Sequence, residues 1–453
     1  MMEKLFSDKE FYNKLIRLTL PIAFQSLMLA AVAAADAIML GRIEQDQMAA
    51  VSLATQIQFV QNMILGAATA AGAILGAQYY GKKDNDSINK VFAIMVRIVG
   101  IFSLITAAGC LLIPEHLMHI FASDKTLIAI GASYLRIAAW SYFLTGISES
   151  YLVVMRVTNH VNRSALISTG VVVLNIILNS IFIFGMFGLP AMGANGAALA
   201  TLISRIVEII WAVSSAHQKG FLHPNYSYIF KFFKGLEKDF IKVALPLLGG
   251  GLFWGVGFTS YTAIMGHLGS DAAAANSVAA VVRDLFCCMC NGISSAGGIM
   301  VGNELGAGRL DKGKTYGIRL AKISYIIGFL CTGLVLLVTA PVVSFMKLTP
   351  VARQYLVGMM IVMAVYMIGR CVNTIIINGI FGAGGDTLFD VYSLAVTMWC
   401  LAIPTALLGA FVFHWPVVLV YACTCLDEVG KIPWVMYHFK KYKWVKDLTR
   451  ERA

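Results

Sequence analysis

Runs of about twenty or more apolar residues, separated by short polar or Gly/Pro-containing turns, recur along the whole chain. A helix that crosses the hydrocarbon core of a bilayer needs roughly 20 such residues. The pattern predicts spans near 17–41, 49–79, 89–114, 127–155, 164–186 and 193–216. After a charged interruption come six more, near 241–266, 273–303, 315–342, 353–380, 389–411 and 415–438. Turns such as Gly188-Leu189-Pro190 bound them. The N-terminus is charged and lacks a cleavage pattern after a short apolar stretch, so the first long helix is expected to serve as an uncleaved membrane signal.

The pattern repeats itself. Leu20-Pro21 through Asp36 and Gly41 to Ser52 and Ala54 aligns without gaps, at an offset of 225, with Leu245-Pro246 through Tyr261 and Gly266 to Ser277 and Ala279. A second echo pairs Gly81-Lys82-Lys83-Asp84 with Gly308-Arg309-Leu310-Asp311. Six crossings return a chain to its starting side, so the halves share one topology. The expected fold is an all-α polytopic membrane protein of twelve helices, in two six-helix bundles related by a pseudo-two-fold axis along the membrane normal. A central cleft would lie between them. The organisation this implies is an N-terminal lobe over 1–216, a cytoplasmic linker over 217–240, a C-terminal lobe over 241–438 and a basic cytoplasmic tail over 439–453. The linker holds Pro224 and an aromatic-basic stretch from Tyr226 to Lys234, which suits either an amphipathic helix on the inner leaflet or a plain solvated connector.

Composition sharpens the class. Of 453 residues 58% are hydrophobic and 13% charged, against about 25% charged in a soluble domain. The 41 glycines, against 10 prolines, suit helices that approach closely through small residues. Lys and Arg fall mostly in alternate connections: Lys82, Lys83, Arg156, Arg163, Lys219, Lys231, Lys234, Arg309, Lys312 and the tail lie on one side. The other side holds only Arg42, Lys125, Lys347 and Arg353. By the positive-inside rule both termini are cytoplasmic, and the net charge of +11 needs no nucleic-acid partner. The nine cysteines sit almost entirely in apolar runs without zinc-like spacing, and are read as small core residues with no metal site and no disulfide framework.

Four stretches resemble the multidrug and toxic compound extrusion (MATE) family of bacterial transporters. They are Asp36-Ala37-Ile38-Met39-Leu40-Gly41, Gly193-Ala194-Asn195-Gly196-Ala197-Ala198-Leu199-Ala200-Thr201, Gly302-Asn303-Glu304-Leu305-Gly306-Ala307-Gly308 and Gly384-Gly385-Asp386-Thr387. The resemblance covers nearly the whole chain in order. It implies an antiporter that exports amphipathic, often cationic compounds in exchange for inward H⁺ or Na⁺. One branch of the family carries a C-terminal cation site with a Glu on the seventh helix and an Asp on the tenth; the matching positions here are Gly255 and Cys371, so the resemblance implies that site is absent. For the N-terminal half it implies a coupling site of Asp36, Asn175, Asn179 and Thr201, with Asn179 an amide where the family has a carboxylate.

Geometry converges on the same four residues. At about 1.5 Å of rise per residue, Asp36 lies roughly 8 Å from the outer end of its span, Asn179 and Asn175 roughly 9 and 15 Å from theirs, and Thr201 about 12 Å. Asn175 and Asn179 are four apart and share a helix face. A carboxylate at that depth costs about 2.5–3.5 kcal/mol. Asp36 is therefore hydrogen-bonded, faces a wet cavity, or is a protonated tie between helices.

Other intramembrane groups are candidates for a substrate cleft: Phe253, Trp254, Tyr261, Arg283, Asp284, Met289 and Asn373, with Phe258, Phe286 and Arg370 beside them. Aromatic and Met surfaces accept varied flat or cationic ligands, although the same residues also serve as core or lipid-facing positions. Glu428 and Lys431, three apart on the last span, form either a local ion pair or a second ionisable site. Arg136, Glu149, Arg205 and Glu208 are read as structural groups that snorkel.

The sequence thus points to a monomeric secondary transporter of the plasma (inner) membrane that binds a small-molecule substrate, uses no cofactor and takes H⁺ or Na⁺ as coupling ion. A flippase or exporter of a lipid-linked precursor, or of a dedicated secondary metabolite, is the alternative, and would favour a larger, more basic cavity. The eight scattered histidines form no catalytic constellation, and no G-x-x-x-x-G-K-[ST] loop is present to use ATP, so an enzyme or an ATP-driven pump is not expected. Reporters fused after residue 230 and at the C-terminus are expected to report the same, cytoplasmic face; opposite faces would break the six-plus-six scheme.

Overall fold

A computed structural model describes residues 9–41, 45–121, 124–346 and 348–449. The side chains of 30–38, 40, 41, 45 and 48, that of Asp36 among them, lie outside that description, and Arg42 and Lys347 lie outside it altogether. Among the described residues the chain is all-helical, without strands.

Six helices come first: α1 (Lys9–Gly41), α2 (Gln45–Gly81), α3 (Asn85–Leu112), α4 (Lys125–Val157), α5 (Val161–Phe184) and α6 (Gly193–Ala216). The second set is α7 (Lys234–His267), α8 (Ser270–Gly306), α9 (Leu310–Phe345), α10 (Pro350–Phe381) and α11 (Leu388–Val412), followed by α12 in three pieces, Val417–Thr424, Leu426–Val429 and Ile432–Lys440. The helices run several residues past the apolar windows at most ends, because their polar first turns are capped. Asp84 accepts from Ser87 N at the start of α3, Asp124 from Thr126 N and Leu127 N at α4, and Thr349 Oγ1 from Ala352 N at α10, where Pro350 occupies the first turn. Gly185, at φ 71°, ends α5 in the left-handed conformation that a glycine adopts without strain.

Two compact units divide the chain. One runs from Phe24 to Ala244; the other joins residues up to Ala23 to Leu245 and beyond. The division points fall beside Pro21 and Pro246, both inside helices and both members of the repeat. In the second unit, Phe11 of α1 packs 4.8 Å from the ring of Tyr316 on α9, under the guanidinium of Arg319. Within that unit α8 and α10 are its inner helices, two-thirds buried over their apolar windows, whereas α9 is only 17% buried and presents Phe329, Leu330 and Leu337 outward. The core between them is rich in sulfur, with Met359, Met360, Met363 and Met367 all at 0% exposure.

Three expectations change. The linker forms no amphipathic helix of its own: a short 3₁₀ turn covers Tyr226–Phe230, and α7 has already begun at Lys234. Polar anchors hold this segment against α3, with Tyr228 donating to Asp86 at 2.8 Å and Arg97 paired with Glu237 while also donating to Lys231 O. The cysteines are not all isolated thiols. Cys290 of α8 and Cys371 of α10 form a disulfide, their Cα atoms 5.4 Å apart, and Cys400 is exposed. Loop composition said nothing about this pair because the two half-cystines lie inside packed spans 81 residues apart. The third concerns residues 441–449, within the expected basic tail, where Trp444 is fully buried and stacks on Phe439. A Cβ on Gly384 would fall 1.6 Å from the carbonyl oxygen of Trp444. Gly384→Ala is therefore expected to displace the 441–449 segment and cost about 1–3 kcal/mol, as overpacking does, lowering the melting temperature in detergent; an unchanged melting temperature would contradict the packing.

Candidate functional site

Two polar centres stand out, one in each unit. In the first, α5 and α6 bring three of the anticipated residues together. Asn179 Nδ2 donates to Asn175 Oδ1 at 3.1 Å, Asn175 Nδ2 donates to Thr201 Oγ1 at 3.3 Å, and the Thr201 hydroxyl donates to Ala197 O at 3.0 Å. The i, i+4 spacing puts both amides on one face, and both are buried, at 6% and 0% exposure. The ladder is neutral: it offers amide and hydroxyl oxygens and carries no charge. Helix α1 runs alongside, for Ser180 Oγ meets Met39 Sδ at 4.0 Å and Gln25 Nε2 donates to Ser168 Oγ at 2.8 Å. Asp36 lies on α1 one turn before Met39, with its side chain outside the described part.

The acids and bases read as snorkelling groups in this unit are more deeply embedded than that. Glu208 is 2% exposed and takes Arg205 at 2.6 Å and Ser148 Oγ at 2.9 Å. Glu149 faces Arg156 at 3.8 Å. Ser148 on α4 is the reason Glu208 stays inside: it supplies a hydrogen bond that no reading of α6 alone reveals. Arg136 pairs with Glu115 where both are exposed, as expected of a group near a helix end.

The second centre is built where α12 breaks. The four-residue piece Leu426–Val429 interrupts the helix, and irregular backbone at membrane depth survives only if its freed groups find partners within the protein. Asn373 supplies them: its Nδ2 lies 2.7 Å from both the carbonyl oxygen and Oε2 of Glu428. Arg370 Nη1 donates to Glu428 Oε1 at 2.8 Å, and Lys431 Nζ stands 4.0 Å from Oε2. Glu428, Lys431 and Asn373 are at most 3% exposed. Gly369 lets α10 approach, since a Cβ there would lie 2.7 Å from Glu428 O. Beyond Asn373, α10 continues through Phe381 as a π-helical turn, a widening often found at functional positions.

Beside this cluster lies a cavity of about 230 Å³. Of the anticipated cleft residues, Trp254, Tyr261, Arg283 and Asp284 line it, together with Phe258 and Arg370. Trp254 and Phe258 stack at 5.3 Å, and the Arg283 guanidinium covers the Phe258 ring at 4.5 Å. Phe253, Met289 and Asn373 do not line it: Phe253 and Met289 are about 40% exposed, and Asn373 donates to Glu428. The sequence reading missed Tyr366, Tyr421 and Asp427, which also line it. Asp427 carried a usable signal, being an acid in an apolar span. Gly255 belongs to α7, and Cys371 is engaged in the disulfide with Cys290.

Among the described residues, twelve helices in two sequence-related halves, ten of them long and apolar enough to cross a membrane, define a polytopic membrane protein. The MatE family model matches the chain twice, over residues 21–181 and 246–408, starting points separated by the same 225 residues as the internal repeat. The chain belongs to the MatE family of transporters. It is 22% identical over 407 residues to the uncharacterized transporter YisQ of Bacillus subtilis, covering 89% of this chain and 88% of that protein. With the probable multidrug resistance protein NorM of Thermotoga maritima it shares 24% identity over 468 residues, covering 98% and 96% respectively. Its fold superposes on the crystal structure of the Vibrio cholerae MATE transporter VcmN with a TM-score of 0.88 at 17% identity, over 96% of this chain and 99% of that one.

Breaking a buried ion pair leaves an uncompensated charge and costs about 3–5 kcal/mol, whereas replacing both partners by apolar groups is often neutral. Glu428→Met and Arg370→Met alone are each expected to destabilise the detergent-solubilised protein by that amount. Because Lys431 also faces Glu428, replacing Glu428, Arg370 and Lys431 together by Met is expected to recover most of the loss. Thermal unfolding of the three variants checks this; a triple variant as unstable as the sum of the singles would show that the cluster does not hold α10 to α12.

Proposed function

We propose that the chain is a secondary antiporter that exports small amphipathic organic compounds, cationic ones among them, from the cell in exchange for inward H⁺ or Na⁺. It would do so as a monomer in the inner membrane, with both termini cytoplasmic. The observation that carries this reading is the neutral ladder Asn179–Asn175–Thr201, buried in one unit, while the aromatic cavity with its charged rim belongs to the other. The multidrug resistance assigned by name to the NorM relatives supports the direction of transport.

Exchange requires a group whose occupancy by the ion favours one conformation, since a ligand with equal affinity for both shifts nothing. The ladder supplies oxygens but no charge, so Asp36, the acid that sequence depth and family resemblance assign to the same centre, is the group that takes a proton or faces Na⁺. Asn175 and Asn179 offer carbonyl oxygens to a Na⁺, or hydrogen bonds to a protonated acid. Pro21 removes one backbone hydrogen bond from α1 and permits bending when the charge is neutralised. The flippase alternative, which would favour a larger, more basic cavity, is less well supported, because the two arginines that line this cavity, Arg370 and Arg283, are paired with Glu428 and Asp284.

Asp36→Asn is expected to insert and fold normally yet lose gradient-driven export at least tenfold in proteoliposomes. Asn179→Asp is expected to be tolerated, with preference moved toward Na⁺. Full gradient-driven transport by a properly inserted Asp36→Asn protein would overturn the assignment.

A further inference from the structure

Sulfur collects at one point of the second unit. Cys290 of α8, Cys331 of α9 and Cys371 of α10 come from three different helices, yet their Sγ atoms all lie within 4.8 Å of one another. Each of the three residues is at most 3% exposed. Contacts one turn away hold the helices at that distance. Ser294 of α8 donates to Thr374 O of α10 at 2.9 Å, one turn beyond Cys290 and Cys371. On the other flank Thr332, next to Cys331, donates to Ala364 O at 2.6 Å, and a Cβ on Gly328 would lie 3.0 Å from the Cα of Ile368. The three sulfurs are therefore brought together by helix packing as well as by the bond between two of them, the kind of supporting shell that a binding site needs.

Cys290 and Cys371 are joined in a disulfide, with Cys331 as the third sulfur beside it. Two molecules of a thiol reductant open that bond by giving it two electrons and two protons, and leave as their own disulfide. Three free thiols result. The cluster holds no His, Asp or Glu, and sulfur alone selects a soft ion. Zinc in a closed site takes four ligands, one more than the trio supplies, whereas a monovalent d¹⁰ ion is satisfied by two or three sulfurs. Met367, fully buried one turn before Cys371, puts a thioether on the same face of α10. Cys287 offers a way in, since it lines the cavity, stands near Cys331 and precedes Cys290 by one turn of α8.

We propose that Cys290, Cys331 and Cys371, once reduced, form a binding site for a monovalent soft metal ion, copper(I) or its analogue silver(I). As the ion enters, two thiols release their protons to water and ligate as thiolates, and the third sulfur completes the shell. The complex then carries one negative charge, one residue from the guanidinium-bearing Arg370. An ion held there ties α8, α9 and α10 to one another. Spacing along the chain hid the site, because each helix contributes a single sulfur. The inference is independent of which compound is exported and of which ion drives export.

The test titrates the purified protein, reduced with dithiothreitol and desalted without oxygen, with copper(I) held by the chromophoric chelator bicinchoninate, whose colour falls as the ion is transferred. One ion per chain is expected to transfer. Cys290→Ser, Cys331→Ser and Cys371→Ser should each weaken transfer at least tenfold, while Cys400→Ser and Cys423→Ser should match the unsubstituted protein. The disulfide form should take up at least tenfold less than the reduced one. X-ray absorption at the copper edge of the unsubstituted protein should show a shell of sulfur alone, so the outcome does not hang on a variant that fails to fold. No transfer, transfer that survives Cys331→Ser, equal uptake by the disulfide form, or nitrogen or oxygen in the shell would overturn the inference.

Discussion

Hydrocarbon offers no water to a charge or to a freed backbone group, and the interior of this transporter is arranged around that constraint. Glu428 shows it most fully. Its carboxylate and its backbone carbonyl are both buried at a break in α12, and Asn373 of α10 reaches both while Arg370 of the same helix neutralises the charge. Without Gly369 the two backbones could not approach closely enough for that contact. The first unit solves the same problem at Glu208 with Arg205 and a serine from α4. Such pairs contribute little net stability over apolar packing; their effect is to fix which helices meet and where the cavity wall runs.

Against this background of saturated charges, other buried polar groups carry the functional reading. The ladder from Asn179 to Thr201 is neutral, and in the proposed reading its charge comes from Asp36. Asp427 is a buried acid beside the Tyr261 hydroxyl, and it lines a cavity with aromatic walls. In the proposed exchange, an ion and an organic compound would act through different helices, and each could shift the other's binding only by differing in affinity between two conformations.

The membrane class, the helix count and the repeat were legible in the sequence because each depends on periodicity and length alone. The 225-residue offset is the same whether read from Leu20-Pro21 and Leu245-Pro246 or from the two family matches. Individual side-chain contacts were legible where two residues sit on one helix, as with Asn175 and Asn179. Roles set by a partner from a distant helix were not: Ser148 holding Glu208, Cys290 joining Cys371, and Asn373 turning from the cavity to Glu428. Asp427 was overlooked beside Glu428, since neighbours on a helix differ by about 100° in direction and only the fold says which one a network consumes.

The central claim is that a cation gradient, and nothing else, drives export. Flux of an organic cation in proteoliposomes, with pH and Na⁺ gradients imposed one at a time and no ATP present, tests it most directly. The account predicts concentrative movement against the substrate's own gradient under at least one of the two, lost when that gradient is collapsed. Equilibration at the same rate with and without either gradient would contradict it.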